Sequence, residues 1–263
     1  MLHIDWSGAV LLYRSVQGAV GLALLWLVTC GQAEIVIADE VSGQTTDASG
    51  GESKHVLRHA VFFKFKESST DQDIRRVVEA FRALPNEIET IKDLQWGTNN
   101  SPEGLNDGFT HAFILTFDNE QGRAVYLPHP AHKAFGDVLR PHLDQVFVVD
   151  YFAAPGQQPD GPRELKHAVF FKFKDDAPGQ DVKAVEDAFA ALPAKIPAIK
   201  AFEWGTNNSP EKHDHGFTHC FVVSFASEQA RSQYLPHPDH QAFVQVLRPV
   251  LDKVRVVDFW AQD

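Results

Sequence analysis

The feature that most constrains the fold is an internal repeat, in which residues 57–154 align without a gap on residues 165–262. The two copies are offset by 108 residues and are identical at 56 of 98 aligned positions. Solenoid repeats have periods of roughly 20–50 residues, so this longer period indicates a duplicated domain. Residues 155–162 contain three prolines and two glycines, as expected of a linker. We therefore expect one domain at 55–154 and another at 163–263.

Hydrophobic periodicity within each copy predicts the element order βαββααβ. In the first copy, Thr70 is expected to cap a helix that ends at Pro85. Asn119 is expected to cap a second, short helix. Pro130 is expected to open a third helix that runs to about Leu143. Such an order in about 100 residues indicates an α+β sandwich, with helices on one face of an antiparallel sheet.

The first strand is apolar on both faces. His59 and Phe63 alternate with Phe62, so Phe62 lies on the face that the helices do not cover. Two copies in one chain can cover these bare faces by packing sheet against sheet. The sequence therefore predicts a barrel-like pseudo-dimer, the intramolecular equivalent of a two-fold homodimer.

The pattern of the first 33 residues predicts an export signal. Residues 16–28 form an uncharged apolar run, short for a membrane span, and residues 31–33 are suited to signal-peptidase cleavage. Residues 38–54 are small and polar, which predicts a flexible linker over 34–54. We expect a secreted or periplasmic protein whose mature part does not insert into a membrane. An uncleaved anchor, or a lipid attached at Cys30, is the alternative.

Charge and cysteine content exclude several classes of function. The formal charge of -11, from 24 basic and 35 acidic residues, gives no basic surface for nucleic acid. Two cysteines supply neither a disulfide framework nor a four-cysteine zinc module. Cys220 follows the apolar pattern of a strand and is expected to be a small buried residue.

Histidine is the residue type that points to chemistry. Eight of the 13 histidines form four pairs at matched positions of the copies. His59, His111 and His132 are in phase with apolar neighbours, so we expect all three between sheet and helices. Burial disfavours imidazolium, which predicts neutral side chains suited to general-base catalysis. Tyr126 supplies a nearby phenol that can stabilise an oxyanion.

Four motifs recur in this order in both copies: H-x-V-x-F-x-F at 59–65, W-G at 96–97, G-F-T-H at 108–111 and Y-x-x-H-P-x-H-x-x-F at 126–135. Together they resemble the stress-responsive α/β-barrel family, also called Dabb domains, over about 55–154 and 163–263. The resemblance implies a ferredoxin-like fold and a dimeric α/β barrel. Here that barrel is expected within one chain, whereas family members usually form it from two.

The resemblance also implies a mechanism. A plant cyclase of this family closes a linear polyketide by an aldol reaction without a cofactor. By this resemblance the catalytic pairs here are Tyr126 with His132 and Tyr234 with His240. The implied ligand pockets contain His59, His111, Phe81, His167, His219 and Phe189. The cyclase has a tyrosine where Phe81 and Phe189 stand, which argues against a shared substrate.

The residues leave several functions open. We expect an exported stress-response protein that binds a small apolar or ketide-like molecule, with or without acid–base chemistry. A non-catalytic scaffold or oligomerisation protein is the alternative. A metal site at His129 and His132 is a further alternative, although no carboxylate accompanies them and Pro130 intervenes. No cofactor is predicted, and the sequence leaves oligomerisation beyond the pair within one chain open.

Overall fold

The computed structural model describes residues 55–153 and 164–262. The predicted signal peptide and both predicted linkers lie outside the described residues. Export therefore stays a prediction. Among the described residues, no helix has the length and apolarity that crossing a bilayer requires.

Each repeat folds into four strands and four helices within its described residues. The first repeat contains β1 (Val56–Phe65), α1 (Asp71–Arg82), α2 (Leu84–Glu87), β2 (Asp93–Thr98), β3 (His111–Phe117), α3 (Glu120–Tyr126), α4 (Pro130–Leu139) and β4 (Leu143–Ala153). The second contains β5 (Leu165–Phe173), α5 (Gly179–Ala190), α6 (Leu192–Lys195), β6 (Ile199–Thr206), β7 (His219–Phe225), α7 (Glu228–Tyr234), α8 (Pro238–Leu247) and β8 (Leu251–Trp260). The short helices α2 and α6 are absent from the predicted order.

Local sequence explains where the helices begin and end. Thr70 caps α1 as predicted, because its hydroxyl accepts a hydrogen bond from the Asp73 amide at 3.2 Å while Asp73 accepts from the Thr70 amide. The predicted end of α4 at Leu143 is wrong. Pro141 has no amide hydrogen with which to continue the helical hydrogen bonds, so α4 ends at Leu139 and Leu143 begins β4.

The strands form two four-stranded antiparallel sheets of the same topology. Their orders are β2-β3-β1-β4 and β6-β7-β5-β8. In each repeat an apolar core, which includes Phe63 and Phe81 in the first, fills the space between the sheet and its helices. These features confirm the predicted α+β class and ferredoxin-like topology.

The two bare sheet faces pack against each other, as predicted. Phe62 and Phe170 meet edge to face across the interface, with ring centroids 5.1 Å apart. Cys220 is fully buried in the same core, which confirms the prediction of a small buried residue there. Because one apolar core contains side chains from both repeats, each sheet depends on the other for its burial.

Glycine explains the W-G motif at the sheet edges. Trp96 exchanges backbone hydrogen bonds of 3.0 and 2.9 Å with Gln262 of the other repeat. A Cβ atom on Gly97 would lie 2.6 Å from the Trp260 carbonyl oxygen, and one on Gly205 would lie 2.8 Å from Tyr151 Cβ. Only glycine therefore permits this approach between the repeats.

Two buried arginines form charge pairs across the interface, and each of these pairs occurs once. Arg58 binds Glu203 at 2.9 Å, and the Tyr151 hydroxyl donates to the same carboxylate at 2.7 Å. Arg255 binds Asp107 at 2.7 Å. The matched positions in the opposite repeats are occupied by Lys166, Gln95, Phe259, Phe147 and His215. The two halves of the interface are therefore no longer interchangeable.

Candidate functional site

A cavity of about 280 Å³ lies between the sheet and the helices of the first repeat. Its polar lining includes His59, Tyr126 and His132, and Glu211 and His213 come from a loop of the second repeat. The remaining lining is Val61, Phe63, Phe81, Leu127, Lys133, Phe135, Gly136, Leu139, Arg140, Leu143, Val146 and Val148. The wall is thus mainly apolar, with a few polar groups that can orient a ligand.

Tyr126 and His132 form the closest aromatic pair of the polar lining, with ring centroids 4.2 Å apart. His132 Nδ1 donates a hydrogen bond of 3.0 Å to the Leu127 carbonyl oxygen, which can only accept. Burial lowers the pKa of His132, so the imidazole is neutral and its Nε2 carries the lone pair. This confirms the prediction of a neutral imidazole at His132.

The second repeat preserves this pair. The rings of Tyr234 and His240 are 4.4 Å apart, and His240 Nδ1 donates to the Leu235 carbonyl oxygen at 2.9 Å. Burial lowers the pKa of His240 to about 4. Tyr234 is fully buried, and its hydroxyl has no hydrogen-bond partner among the residues that the structure describes.

The segment between α3 and α4 positions His132. Pro130 occupies the first turn of α4, and His129 caps the helix because its Nδ1 accepts a hydrogen bond of 3.2 Å from the Ala131 amide. The Nδ1 atom of His129 therefore has a structural role, because it caps α4. Over residues 55–153 and 164–262, no group of three or more His, Cys, Asp or Glu side chains is arranged to hold a metal ion.

His59 differs from the prediction of a neutral imidazole, which is wrong for this residue. Its Nδ1 donates a hydrogen bond of 2.7 Å to Asp150 on the adjacent strand β4. Burial disfavours the charged form, but the Asp150 carboxylate outweighs that effect and raises the pKa of His59. The same pairing lowers the pKa of Asp150 in spite of its burial. His59 is therefore half of a buried ion pair.

Asp150 also joins the two repeats. Its second carboxylate oxygen accepts a hydrogen bond of 2.6 Å from Arg123 on α3. Arg123 donates to the Asn208 side-chain oxygen at 2.7 Å, and the Asn208 amide donates to the Asp150 carbonyl oxygen at 2.8 Å. A loop of the second repeat is thereby held against the ion pair of the first.

The reciprocal network in the second repeat has nearly the same distances. His167 Nδ1 lies 2.7 Å from Asp258, and this carboxylate raises the pKa of His167 against the effect of burial. Arg231 donates to Asp258 at 2.8 Å and to the Asn100 side chain at 2.9 Å. Each repeat therefore supplies an asparagine to the other's buried ion pair.

Glu211 reaches the first repeat's cavity from the same loop of the second repeat. Its Oε2 lies 3.8 Å from His59 Nδ1, which is too long for a hydrogen bond. That oxygen is buried and has no hydrogen-bond partner among the described residues. An unsatisfied buried acceptor costs about 1–3 kcal/mol, so Glu211 presents a free hydrogen-bond acceptor at the cavity wall.

Two phenylalanines, one in each repeat, were also predicted to line the ligand pockets. Phe81 lines the cavity and stacks on Phe113 at 4.2 Å. Phe189 stacks on Phe221 at 4.4 Å in the second repeat.

The strand histidines His111 and His219 are not part of this cavity lining. His111 begins β3, packs edge to face on Phe65 and has its Nδ1 2.9 Å from the Thr110 hydroxyl. Burial lowers the pKa of His111 to about 4. His219 Nε2 instead lies 3.0 Å from Glu186.

Sequence reasoning missed four residues that complete the site. Asp150, Arg123, Asn208 and Glu211 all recur in the other repeat, as Asp258, Arg231, Asn100 and Glu103. Recurrence alone could not identify them, since 56 of 98 positions recur. For Asn208 and Glu211 the available signal was that NNSPE recurs without change in the loops after β2 and β6, where the chain otherwise varies.

A family model for the stress responsive A/B barrel domain matches residues 57–153 and again residues 165–261. The chain belongs to this family. The stress-response A/B barrel domain-containing protein HS1 of Arabidopsis thaliana is 35% identical over 100 residues, which is 38% of this chain and 92% of that protein. One repeat therefore corresponds to nearly the whole relative.

Two further similarities bear on chemistry and fold. Olivetolic acid cyclase of Cannabis sativa is 30% identical over 95 residues, covering 36% of this family member and 94% of the cyclase. The crystal structure of an anthrone oxidase-like protein matches 81% of this chain and 93% of its own, with a TM-score of 0.55 and 14% identity. That structural likeness extends across both repeats and shows the shared fold alone.

Proposed function

We propose that the cavity of the first repeat binds a small, mainly apolar carbonyl compound of ketide type, and that the protein catalyses cofactor-free proton transfer on it. The observation that carries this proposal is the pairing of Tyr126 with His132 on the cavity wall. His132 donates through Nδ1 to Leu127, which leaves Nε2 as a neutral base. The cyclase relative supports the ketide class of ligand.

The size and lining of the cavity favour a compact ligand. Its 280 Å³ lies near the lower end of the range for small-molecule sites, roughly 300–1,000 Å³. Phe63, Phe81 and Phe135 supply aromatic surface for a ring or a short acyl chain. Lys133 and Arg140 also line the cavity and favour an ester or acid group on the ligand.

The proposed step is removal of a proton from the carbon between two carbonyl groups. The proton passes to Nε2 of His132, and the electron pair of the broken C–H bond forms an enolate. Burial raises the pKa of Tyr126 well above its usual value, so its phenol stays protonated and can donate to the enolate oxygen. The enolate carbon can then attack a second carbonyl of the same ligand, as in an aldol closure. The π electrons of that carbonyl form an alkoxide, which takes up the proton held on Nε2 of His132.

Ethyl benzoylacetate, an aromatic 3-oxo ester, tests this step directly. We expect the protein to accelerate deuterium exchange at its central methylene in D₂O, measured by proton NMR against buffer alone. Removal of a general base typically costs about 10²–10⁴-fold, so His132→Gln should lose the acceleration while keeping its melting temperature. Tyr126→Phe should reduce the acceleration of deuterium exchange. His237→Gln is the control, because His237 caps α8 in the other repeat.

The scaffold alternative makes the opposite prediction. The reciprocal ion-pair networks favour a structural role for His59 and His167, independent of any ligand. If wild-type protein leaves exchange at the buffer rate, and if His132→Gln mainly lowers the melting temperature, then the site is structural. Retained exchange in His132→Gln would contradict the assignment of the base.

Export remains part of the proposal. It rests on the apolar run at 16–28 and the small residues at 31–33. An intact-mass measurement of protein from its native source tests it, with a chain beginning at Glu34 as the expected result. A native chain beginning at Met1 would contradict cleavage.

A further inference from the structure

We infer that the two repeats have diverged, so that the first holds the ligand site and the second closes that site without binding a ligand of the same size. This inference rests on the proposed function, because it assumes that the cavity binds a small molecule. It concerns which of two homologous sites binds the ligand. The evidence for it is the set of residues that differ between the two sites.

Gly136 is the first of these differences. It lines the cavity from the interior of α4, where glycine costs about 0.5–1 kcal/mol relative to alanine. A Cβ atom there would meet only the flexible end of Arg140, at 3.3 Å, so no backbone contact requires glycine. The missing side chain leaves space in the cavity. The equivalent residue of α8 is Val244, which packs against the core of the second repeat.

Lys133 marks the second difference. It lines the first cavity, whereas its counterpart Gln241 donates a hydrogen bond of 2.8 Å to the Leu235 carbonyl oxygen. That oxygen also accepts the bond from His240. The side chain of Gln241 is thereby held against Leu235 at the end of α7, and the second site lacks the positive charge that Lys133 presents in the first.

The loops that cross between the repeats differ as well. The second repeat contributes Glu211 and His213 to the first cavity, and their counterparts are Glu103 and Leu105. Burial raises the pKa of Glu103. The polar His213 is thus replaced by an apolar residue, while the carboxylate at the matched position becomes easier to protonate. All three differences leave the second site less polar or more filled.

Binding stoichiometry tests the inference with ethyl benzoylacetate as the probe. Calorimetric titration of the full chain should give one molecule per chain. Gly136→Val should weaken binding by about tenfold or more, since an added side chain in an apolar pocket has effects of this order. Val244→Ala, a substitution at the matched position of the second repeat, should leave binding at the first site unchanged. The double variant Val244→Gly with Leu105→His should gain a second, weaker site.

The outcomes separate this inference from the proposed function. Two equal sites in the wild-type chain would overturn the inference and leave the proposed function intact. Loss of binding in Val244→Ala, with Gly136→Val unaffected, would also overturn it. An absence of any binding to the wild-type chain would overturn the proposed function, and the inference with it. Gly136→Ala, with a smaller side chain and better helix propensity, serves as a second variant if Gly136→Val does not fold.

Discussion

Arg123 of the first repeat donates hydrogen bonds both to Asp150 of its own sheet and to Asn208 of the other repeat, at 2.6 and 2.7 Å. This single guanidinium links a buried ion pair to a loop that supplies part of the cavity wall. The arrangement is repeated around Arg231. The structural unit is therefore the interlocked pair of repeats.

Asn208→Ala should destabilise the protein by about 1–3 kcal/mol, because it leaves part of the buried Arg123 donor set unpaired. Urea unfolding measures this change. Asn100→Ala, its counterpart in the first repeat, should have a similar effect through Arg231. Both variants should unfold in a single transition. Separate transitions for the two repeats would contradict the interlocked unit.

Asp150→Asn should destabilise the protein by about 3–5 kcal/mol, since it breaks a buried pair and removes the buried carboxylate that Arg123 binds. The pKa of His59 should fall, because burial then acts without the opposing charge. Unfolding in urea and NMR titration of the histidine ring measure the two effects. Asp144→Asn, an exposed carboxylate on the same strand, is the control. An unchanged His59 pKa would exclude the pairing.

Stability should decrease when the pH falls from about 6.5 towards 4. The pKa values of His111 and His240 are lowered to about 4, so in this window the unfolded chain binds more protons than the folded chain. His111→Phe should reduce the slope of melting temperature against pH in this window. A slope identical to that of the wild type would show that His111 titrates normally.

The raised pKa values of His59 and His167 have the opposite effect on the pH dependence of stability. Their stabilisation is complete below the unfolded value of about 6.5 and is lost as the pH rises through the folded value. We therefore expect a maximum of stability at intermediate pH, measured by urea unfolding at a series of pH values. A steady increase in stability from pH 6 to pH 10 would contradict imidazolium in these pairs.

Gly97→Ala should destabilise the protein by about 1–3 kcal/mol, because the new methyl group would overlap the Trp260 carbonyl oxygen and the backbone must shift. Thermal unfolding measures the loss. Gly179→Ala is the matched control, since nothing lies within 4 Å of its added Cβ, and its effect should stay within about 0.5 kcal/mol. Equal effects of the two substitutions would show that the approach of the strands is not tight.

The sequence by itself determined the duplication, the α+β class and the faces of each strand, because these follow from local periodicity and from turn residues. Phe62 could be assigned to the interface because the side chains of a strand alternate between its two faces, whichever strands it pairs with. Helix starts at Thr70 and Pro130 were equally local. The end of α4 was misplaced although Pro141 marks it.

Only the tertiary structure decided which charged groups lie next to the site residues. The ionisation of His59 depends on Asp150, which lies 91 residues away in sequence, and the cavity depends on Glu211 from the other repeat. His132 kept the protonation state expected of it because burial, which periodicity predicts, is the main influence on its pKa and lowers it. Burial of a histidine can be read from periodicity, but its charge is set by the opposing charges that folding brings within a few ångströms.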